Sequence, residues 1–435
     1  MLRVLALVMV FSAALDATAA LADSRQDCQM LRGDAAIQAC DLAIGAFPRD
    51  AEAYNNRGAA YLGKGELDRA IADHTKAIEI DPKDAAAYYN RGYAYDAKGD
   101  FDRAIADYTK AIAIDPNNAK AYNNRAGAYK SENDSDRAIA DFTRAIEIDP
   151  KDADVYYNRG IVYQSREDFD HAIADYTKVI EIDPNNAKAY NNRGVAHRAE
   201  GDFDRAIADY SKAIEIAPKD ANAYANRGVA HNLKGDLDHA IADYTRAIEI
   251  DPNDADAYDS RGYAYHAKGD IDRAIADYTK VIEIDPRAVA AYLNRGYDYQ
   301  TKGDFDRALS DDTKAIEIDP KDADAYDNRC WLRATANRDL PLALADCDAV
   351  ARLAPNDANG LDSRGFLFLR LGGLDEAIAD YDAALKVNPR LAGSLYGRGL
   401  AKRKKGDQAG GDADIAAARA IQADIADEFA KYGMN

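Results

Sequence analysis

Large aliphatic side chains are scarce in this sequence, because leucine, isoleucine, valine and phenylalanine together number 80 of 435 residues, about 18%. A fraction below about 20%, combined with a net charge of −20, is typical of intrinsically disordered chains, so composition leaves folding undecided. Basic charge is also in short supply, with 56 Lys and Arg against 76 Asp and Glu. Nucleic-acid binding needs a basic surface that displaces counterions from phosphates, so we expect no nucleic-acid partner.

Long apolar runs are missing apart from Val4–Leu15, whose 12 residues fall short of the ~20 that span a bilayer. Arg3 precedes this run and Ala20-Leu21-Ala22 follows it, which is the pattern of a secretory signal peptide over residues 1–22. The alternative is an uncleaved anchor. We expect cleavage, no membrane insertion after it, and a mature chain from Asp23 that is exported to the periplasm or secreted.

Proline is sparse, but eleven of the twelve prolines are regularly spaced. Nine of them follow one another at 34-residue intervals from Pro48 to Pro320, and two more continue the series with a one-residue insertion. A period of this length indicates stacked supersecondary units. Counted from Ala51, about eleven 34-residue repeats span 51–425, with an irregular stretch at 323–391. Residues 23–50 are predicted to form a truncated N-terminal hairpin or cap, and residues 426–435 the end of a C-terminal capping helix and a tail.

Each repeat has the spacing of two helices separated by a short turn. In the repeat at 85–118, apolar residues recur at helical intervals on both sides of Lys98-Gly99-Asp100. Position 8 of the repeat is glycine in nine of eleven units, although glycine inside a helix costs about 1 kcal/mol relative to alanine. We therefore expect a close helix–helix approach at position 8, opposite the small residues of the second helix such as Ala104.

The sequence of residues 85–116, AAAYYNRGYAYDAKGDFDRAIADYTKAIAIDP, resembles the tetratricopeptide repeat, and the resemblance covers roughly 51–425. Together with the signal-like N-terminus, it indicates a tetratricopeptide repeat protein of a bacterial exported type. The resemblance implies an all-α, right-handed superhelical solenoid of stacked antiparallel helix pairs. It also implies that the first helices of the repeats line a concave groove.

Arginine at position 7 and an aspartate in the second helix occur in every repeat, as in Arg193 and Asp209. One interpretation is an arginine ladder that recognises carboxylates of a partner. The other is a structural ion pair between packed helices. A buried guanidinium must be partnered, and the aspartate always accompanies it, so the structural pair is favoured.

Asparagine at position 6 resembles the asparagine ladder of the O-GlcNAc transferase repeat domain, which holds an extended peptide by its backbone. An amide both donates and accepts hydrogen bonds, which suits such a ligand; alternatively, these amides position the helices locally. A second candidate surface is the stripe at positions 2, 5, 9 and 12 of the first helix, because tyrosine and tryptophan dominate binding hot spots. The predicted partner-binding residues are Asn90, Asn124, Asn158, Asn192, Tyr89, Tyr93, Tyr157, Tyr263, Tyr297 and Trp331.

The four cysteines fall into two pairs, and an even number in an exported chain favours disulfides. We predict the bonds Cys28–Cys40 and Cys330–Cys347, at the two weaker ends of the array.

The six histidines lack the local spacing of a metal site, and no catalytic motif or cofactor fingerprint is present, so no metal, cofactor or catalytic residue is predicted.

The signal peptide, cap, repeats and tail together account for the whole chain. The predicted function is therefore a non-enzymatic scaffold that binds a peptide segment or protein partner in its concave groove. The acidic surface favours basic partners. The alternative is a structural or assembly subunit of a cell-envelope complex, which engages its partners through its ends or convex face.

Overall fold

The computed structural model describes residues 25–434, and within that range the chain is helical with no strand. The predicted signal peptide at 1–22 lies outside the described residues. The chain divides into two compact halves after Pro218. In the first half, residues 25–30 are helical, and the helices that follow are Gly33–Ala46, Ala51–Gly63, Leu67–Ile80, Ala85–Ala97, Phe101–Ile114, Ala119–Ser131, Ser135–Ile148, Ala153–Ser165, Phe169–Ile182, Ala187–Ala199 and Phe203–Ile216.

The second half continues the same alternation of a 13-residue and a 14-residue helix for most of its length. Its helices are Ala221–Leu233, Leu237–Ile250, Ala255–Ala267, Ile271–Ile284, Val289–Thr301, Phe305–Ile318, Ala323–Thr335, Leu340–Leu353, Ala358–Leu371, Leu374–Val387, Ala392–Lys404, Gln408–Ile421 and Ile425–Lys431. Within each half, every helix packs on its neighbours in sequence. The predicted all-α solenoid of stacked helix pairs is confirmed as the fold class.

Helix ends follow from local chemistry. The aspartate or asparagine before most helices accepts a hydrogen bond from the backbone of the first turn, as Asp84 does from Ala87 N at 3.1 Å. The turn between the two helices of a repeat needs a left-handed residue, and Gly99 supplies it with φ of 77°. Glu167 takes the same conformation, with φ of 60°, so the turn is kept even where glycine is absent.

Position 8 is a site of close approach, as expected, and the nearest neighbour there is a tyrosine ring. A Cβ added at Gly160 would lie 2.8 Å from the ring of Tyr176 on the second helix, and the same contact recurs between Gly194 and Tyr210. The expected approach to a small residue is present as well, since a Cβ added at Gly92 would lie 3.3 Å from the backbone oxygen of Ala104. Glycine is required because a whole tyrosine ring packs against the helix backbone there, and this ring supplies core volume that large aliphatic residues supply elsewhere.

The position-7 arginine is a structural residue. Arg91 donates through Nε and Nη2 to both oxygens of Asp107, at 2.7 and 2.8 Å, and through Nη1 to Thr75 of the preceding repeat at 3.1 Å. The arginine–aspartate pair is present in all eleven repeats. The guanidinium thus joins two helices of its own repeat to one of the repeat before it, as the structural interpretation predicts.

Two disulfides join the predicted cysteine pairs. Cys28 and Cys40 have Cα atoms 4.7 Å apart and link residues 25–30 to the helix Gly33–Ala46. Cys330 and Cys347, with Cα atoms 5.5 Å apart, occupy the two places where other repeats have the packed glycine and tyrosine. In this repeat a covalent bond replaces the ring-on-backbone contact.

Candidate partner-binding face

Within each half, the first helices of the repeats share a face, which we call the A-helix face and define by positions 2, 5, 9 and 12. Helical periodicity places these positions on one side, away from the second helix. Three predicted residues at position 9 expose large aromatic surface on it: Tyr93 is 49% exposed in the first half, and Tyr263 and Tyr297 are 55% and 56% exposed in the second. These rings are available to a partner.

The predicted tyrosines at position 5 are hydrogen-bonded to other residues of the protein. Tyr89 accepts a hydrogen bond from Asn124 Nδ2 at 3.0 Å, and its ring lies 5.9 Å from that of Tyr108. Tyr157 accepts one from Asn192 Nδ2 at 3.0 Å in the same way. Burial raises the pKa of both phenols. Their role in this structure is to join successive first helices.

The asparagines at position 6 therefore form a ladder inside the stack. Asn90 Nδ2 donates to Asn55 Oδ1 at 3.1 Å. Asn55 stands at position 5 of the preceding repeat, as Tyr89 and Tyr157 do with respect to Asn124 and Asn192. Asn158 lies half-buried at the same position. The local-positioning interpretation is favoured, because the amide N–H groups of Asn90, Asn124 and Asn192 are directed to the preceding repeat.

Trp331 is half-buried and packs on other parts of the protein. Its ring lies 5.0 Å from that of Phe366 and 5.7 Å from that of Tyr432, which follows the helix Ile425–Lys431. Phe429 from that helix packs in turn on Tyr396 at 4.8 Å. The C-terminal segment thus covers the A-helix face at this end of the second half, and Trp331 belongs to an internal aromatic cluster.

Three carboxyl groups on the first helices of the second half are buried or half-buried. Asp259 and Asp327 occupy position 5, and Asp298 stands next to Tyr297 at position 10. One oxygen of each has no hydrogen-bond donor among the described residues. Burial raises the pKa of all three, to about 6 for Asp327.

Asp298 is partnered through its other oxygen, which lies 2.5 Å from His266 Nδ1. The His266 ring in turn lies 5.5 Å from that of Tyr297. Sequence reasoning did not select Asp259, Asp298 or His266 as site residues. A signal for Asp298 was present, since position 10 is apolar in all the other repeats, with alanine, valine or leucine.

A stack of two-helix repeats with an internal polar ladder and exposed tyrosines on one face defines the class of helical-repeat protein–protein interaction scaffolds. Models described as tetratricopeptide repeat or TPR repeat match ten segments of the chain: 51–84, 85–118, 107–140, 126–166, 153–186, 187–220, 232–269, 262–303, 289–322 and 364–428. These matches cover most of the sequence. The chain belongs to the tetratricopeptide repeat family, whose members are generally non-catalytic scaffolds.

Solved structures of the same family are similar over parts of the chain. The crystal structure of MamA is 32% identical, covering 39% of this chain and 93% of that one, with a TM-score of 0.37. YrrB, described as a TPR protein with an unusual peptide-binding site, is 27% identical over 43% and 96% of the two chains, with a TM-score of 0.39. Yeast Tom70 is 17% identical over 88% and 94%, with a TM-score of 0.42. No curated protein matches the sequence.

Proposed function

We propose that the chain is a non-enzymatic scaffold that binds an extended, basic segment of a partner protein on the A-helix face of its second half. The observation that carries this proposal is the combination of two exposed tyrosines, Tyr263 and Tyr297, with the exposed carboxylate of Asp256 at position 2 of the same face. The first helices Ala255–Ala267 and Val289–Thr301 form the centre of the proposed site.

The tyrosines supply the contact area. A rigid aromatic side chain loses little conformational entropy on binding and buries a large surface, so truncation of a central one commonly costs 2 kcal/mol or more. Tyr263 and Tyr297 stand at the same position of consecutive repeats, which spaces them along the direction in which an extended segment would run.

The carboxyl groups supply charge selection. Lysine or arginine side chains of a partner would pair with exposed carboxylates of this face such as Asp256, and such charge-assisted bonds are stronger than neutral ones. The net charge of −20 would also attract a basic segment at long range, in a manner that salt weakens.

Photo-crosslinking tests the location of the site. A photoreactive phenylalanine analogue placed at Tyr263 or Tyr297 should capture the same partner, through a peptide rich in lysine and arginine. Tyr93 is the matched control, because it has the same repeat position and similar exposure but lies in the first half. Capture from Lys280, exposed on the second helix Ile271–Ile284, in place of Tyr297 would overturn the proposal and favour the alternative of an assembly subunit.

Binding of the captured segment, made as a synthetic peptide, then tests the chemistry. Tyr297→Ala should weaken binding at least ~10-fold, a change of about 1.4 kcal/mol, whereas Tyr93→Ala should leave the affinity within about twofold. Asp256→Asn should reduce the dependence of the affinity on salt, because Asp256 is an exposed carboxylate of this face. Equal losses from Tyr93→Ala and Tyr297→Ala would contradict a site in the second half.

We also propose that the chain acts after export to the periplasm, as a tetratricopeptide repeat protein of a bacterial exported type. Both cysteine pairs are disulfide-bonded in the structure, and such bonds persist in oxidising compartments. No helix among the described residues is long and apolar enough to span a bilayer. Mass spectrometry of protein from the producing cells should find a mature N-terminus at Asp23 and no free thiols; free thiols in periplasmic protein would contradict the proposal.

A further inference from the structure

The turn of several repeats carries a three-residue arrangement, which we call the turn triad and define by positions 11, 16 and 19. In the repeat at 85–118 it consists of Tyr95, Asp100 and Arg103. Arg103 Nε donates to Asp100 Oδ2 at 2.6 Å, and its guanidinium carbon lies 4.5 Å from the centre of the Tyr95 ring. The tyrosine, carboxylate and guanidinium are thus gathered at the start of the second helix.

One repeat changes the chemistry of this triad while keeping its geometry. In the repeat that begins at Ala221, both outer members are histidine, so that the triad is His231, Asp236 and His239. His239 Nδ1 lies 2.7 Å from Asp236 Oδ2, and His231 Nδ1 lies 3.6 Å from the same oxygen. The imidazole rings are stacked with centres 5.1 Å apart, and the three candidate donor atoms lie within 4.8 Å of one another.

We infer that His231, Asp236 and His239 bind a divalent transition-metal ion of the borderline class, such as Zn²⁺, with water completing the coordination. Imidazole nitrogen and carboxylate oxygen are the donors that such ions prefer, and two histidines with one carboxylate leave an open position in a tetrahedral site. The separation between donors in that geometry is roughly 3.3 Å for bonds of about 2.0–2.1 Å. His239 Nδ1 and His231 Nδ1 lie 2.7 and 3.6 Å from Asp236 Oδ2, which is close to this separation.

The surroundings permit the remaining adjustment. The side chain of His239 is 71% exposed and has room to rotate towards the ion, whereas that of His231 is 15% exposed and held by packing. His231 Nε2 lies 4.0 Å from Asp243 Oδ2, so an acidic group stands behind the ring on the side away from the ion.

Two other repeats contain one histidine each in the same arrangement, and they serve as internal controls. His171 stacks on Tyr163 at 4.9 Å beside Asp168, and His197 stands in the triad that contains Asp202 and Arg205. A single imidazole with one carboxylate cannot supply three ligands. If the histidine pair merely replaced the tyrosine–arginine contact by ring stacking, the repeat with both histidines would bind metal no better than these two.

This inference departs from the expectation that no metal site is present. No metal site was predicted because no two histidines lie a few residues apart on one helix. His231 and His239 are eight residues apart and stand on two helices. The turn brings them together. The informative signal in the sequence was that positions 11 and 19, which are Tyr95 and Arg103 in the repeat at 85–118, are both histidine in this repeat.

Isothermal titration of the full mature chain with ZnCl₂, after chelator treatment and with both disulfides intact, tests the inference. We expect one Zn²⁺ ion bound per chain, with no binding of Mg²⁺ or Ca²⁺. His239→Arg and His231→Tyr restore residues that other repeats have at these positions, so both variants should fold. Each should weaken Zn²⁺ binding at least ~10-fold, because even the loss of an outer-shell partner costs 10- to 100-fold.

The matched controls are His171→Arg and His197→Tyr, which restore the repeat pattern in the single-histidine triads and should leave Zn²⁺ affinity within about twofold. Circular dichroism establishes that every variant keeps its helices. Substitution with Co²⁺ gives a second readout, since tetrahedral coordination produces visible absorption that His239→Arg should remove. Equal Zn²⁺ affinity in the wild type and His239→Arg, or no measurable Zn²⁺ binding by the wild type, would overturn the inference.

Discussion

Asp312 shows how one residue changes the energetics of an otherwise repetitive protein. It stands where the preceding repeat places the ring of Tyr278 on its position-8 glycine, and it faces Gly296. It is only 3% exposed. Burial raises its pKa to about 7; Asp311 and Asp346 act in the same direction, while Arg329 and Arg333 oppose the shift. A carboxyl group thus occupies a place built for a ring.

The raised pKa predicts a specific pH dependence of stability. An unfolded aspartate titrates near pH 4, so between about pH 4 and 7 the folded chain keeps a proton that the unfolded chain releases. The contribution of Asp312 to stability is therefore highest below pH 4 and is lost as the pH rises to 7. The free energy of unfolding of Asp312→Asn minus that of the wild type should therefore increase with pH. Between pH 4.5 and pH 7.5 we expect this difference to rise by roughly 2–4 kcal/mol in favour of the variant.

Urea unfolding of the wild type and of Asp312→Asn at several pH values measures this effect. Asp256→Asn is the control, because Asp256 is an exposed aspartate in the same half of the chain. If the two variants differ from wild type by the same amount at every pH, Asp312 is not the protonated group.

At the scale of the element, the helical hairpin depends on one left-handed residue in its turn. Glycine takes positive φ without steric cost, while other residues pay about 1–2 kcal/mol. Gly201 and Glu167 occupy equivalent turns of adjacent repeats, with φ of 81° and 60°. The packing of the two helices therefore imposes the conformation, whatever residue is present.

Glu167→Gly should stabilise its repeat by roughly 0.5–1 kcal/mol, because relief of the left-handed strain exceeds the extra flexibility of glycine in the unfolded chain. The reverse substitution, Gly201→Glu, should destabilise the next repeat by a similar amount. Thermal unfolding of both variants provides the comparison. A loss of stability in Glu167→Gly would mean that the Glu167 side chain makes a compensating contribution.

At the scale of the whole chain, the first and the last described repeats are covered by different structures. In the first half, the Cys28–Cys40 disulfide holds a short helical segment beside the first complete repeat. In the second half, the helix Ile425–Lys431 lies over the first helices and buries Phe429 to 3% exposure. Repeat proteins are stabilised mainly by contacts between neighbours, so such end structures protect the outermost interfaces.

Phe429→Ala should loosen the C-terminal end selectively. Loss of a buried phenylalanine costs about 3–5 kcal/mol, and the loss should be felt mainly in the repeats from 358 onward. Hydrogen-exchange mass spectrometry should show faster exchange there and unchanged protection in 51–186. Ile421→Ala is the control, since Ile421 is 40% exposed. Uniformly faster exchange along the chain would contradict this local effect.

The site was less predictable than the fold. The repeat positions led to Tyr93, Tyr263 and Tyr297, which are exposed, but also to Tyr89 and Tyr157, which are hydrogen-bonded to the following repeat. Trp331 lies at the same position as Tyr297 and is covered by the chain's own C-terminus. Repeat position indicates which side of a helix a residue lies on. It does not indicate whether another part of the chain already occupies that surface.

The 34-residue period and the helical spacing within it were sufficient to predict the all-α stack, because both depend on interactions between residues close in the chain. The scarcity of large aliphatic residues, which composition associates with disorder, is offset by tyrosine rings packed on glycine. Which tyrosines remain available, and that His231 and His239 meet across a turn, depend on how helices pack. Such contacts join residues from 8 to 35 positions apart, beyond the range over which helical periodicity alone specifies neighbours.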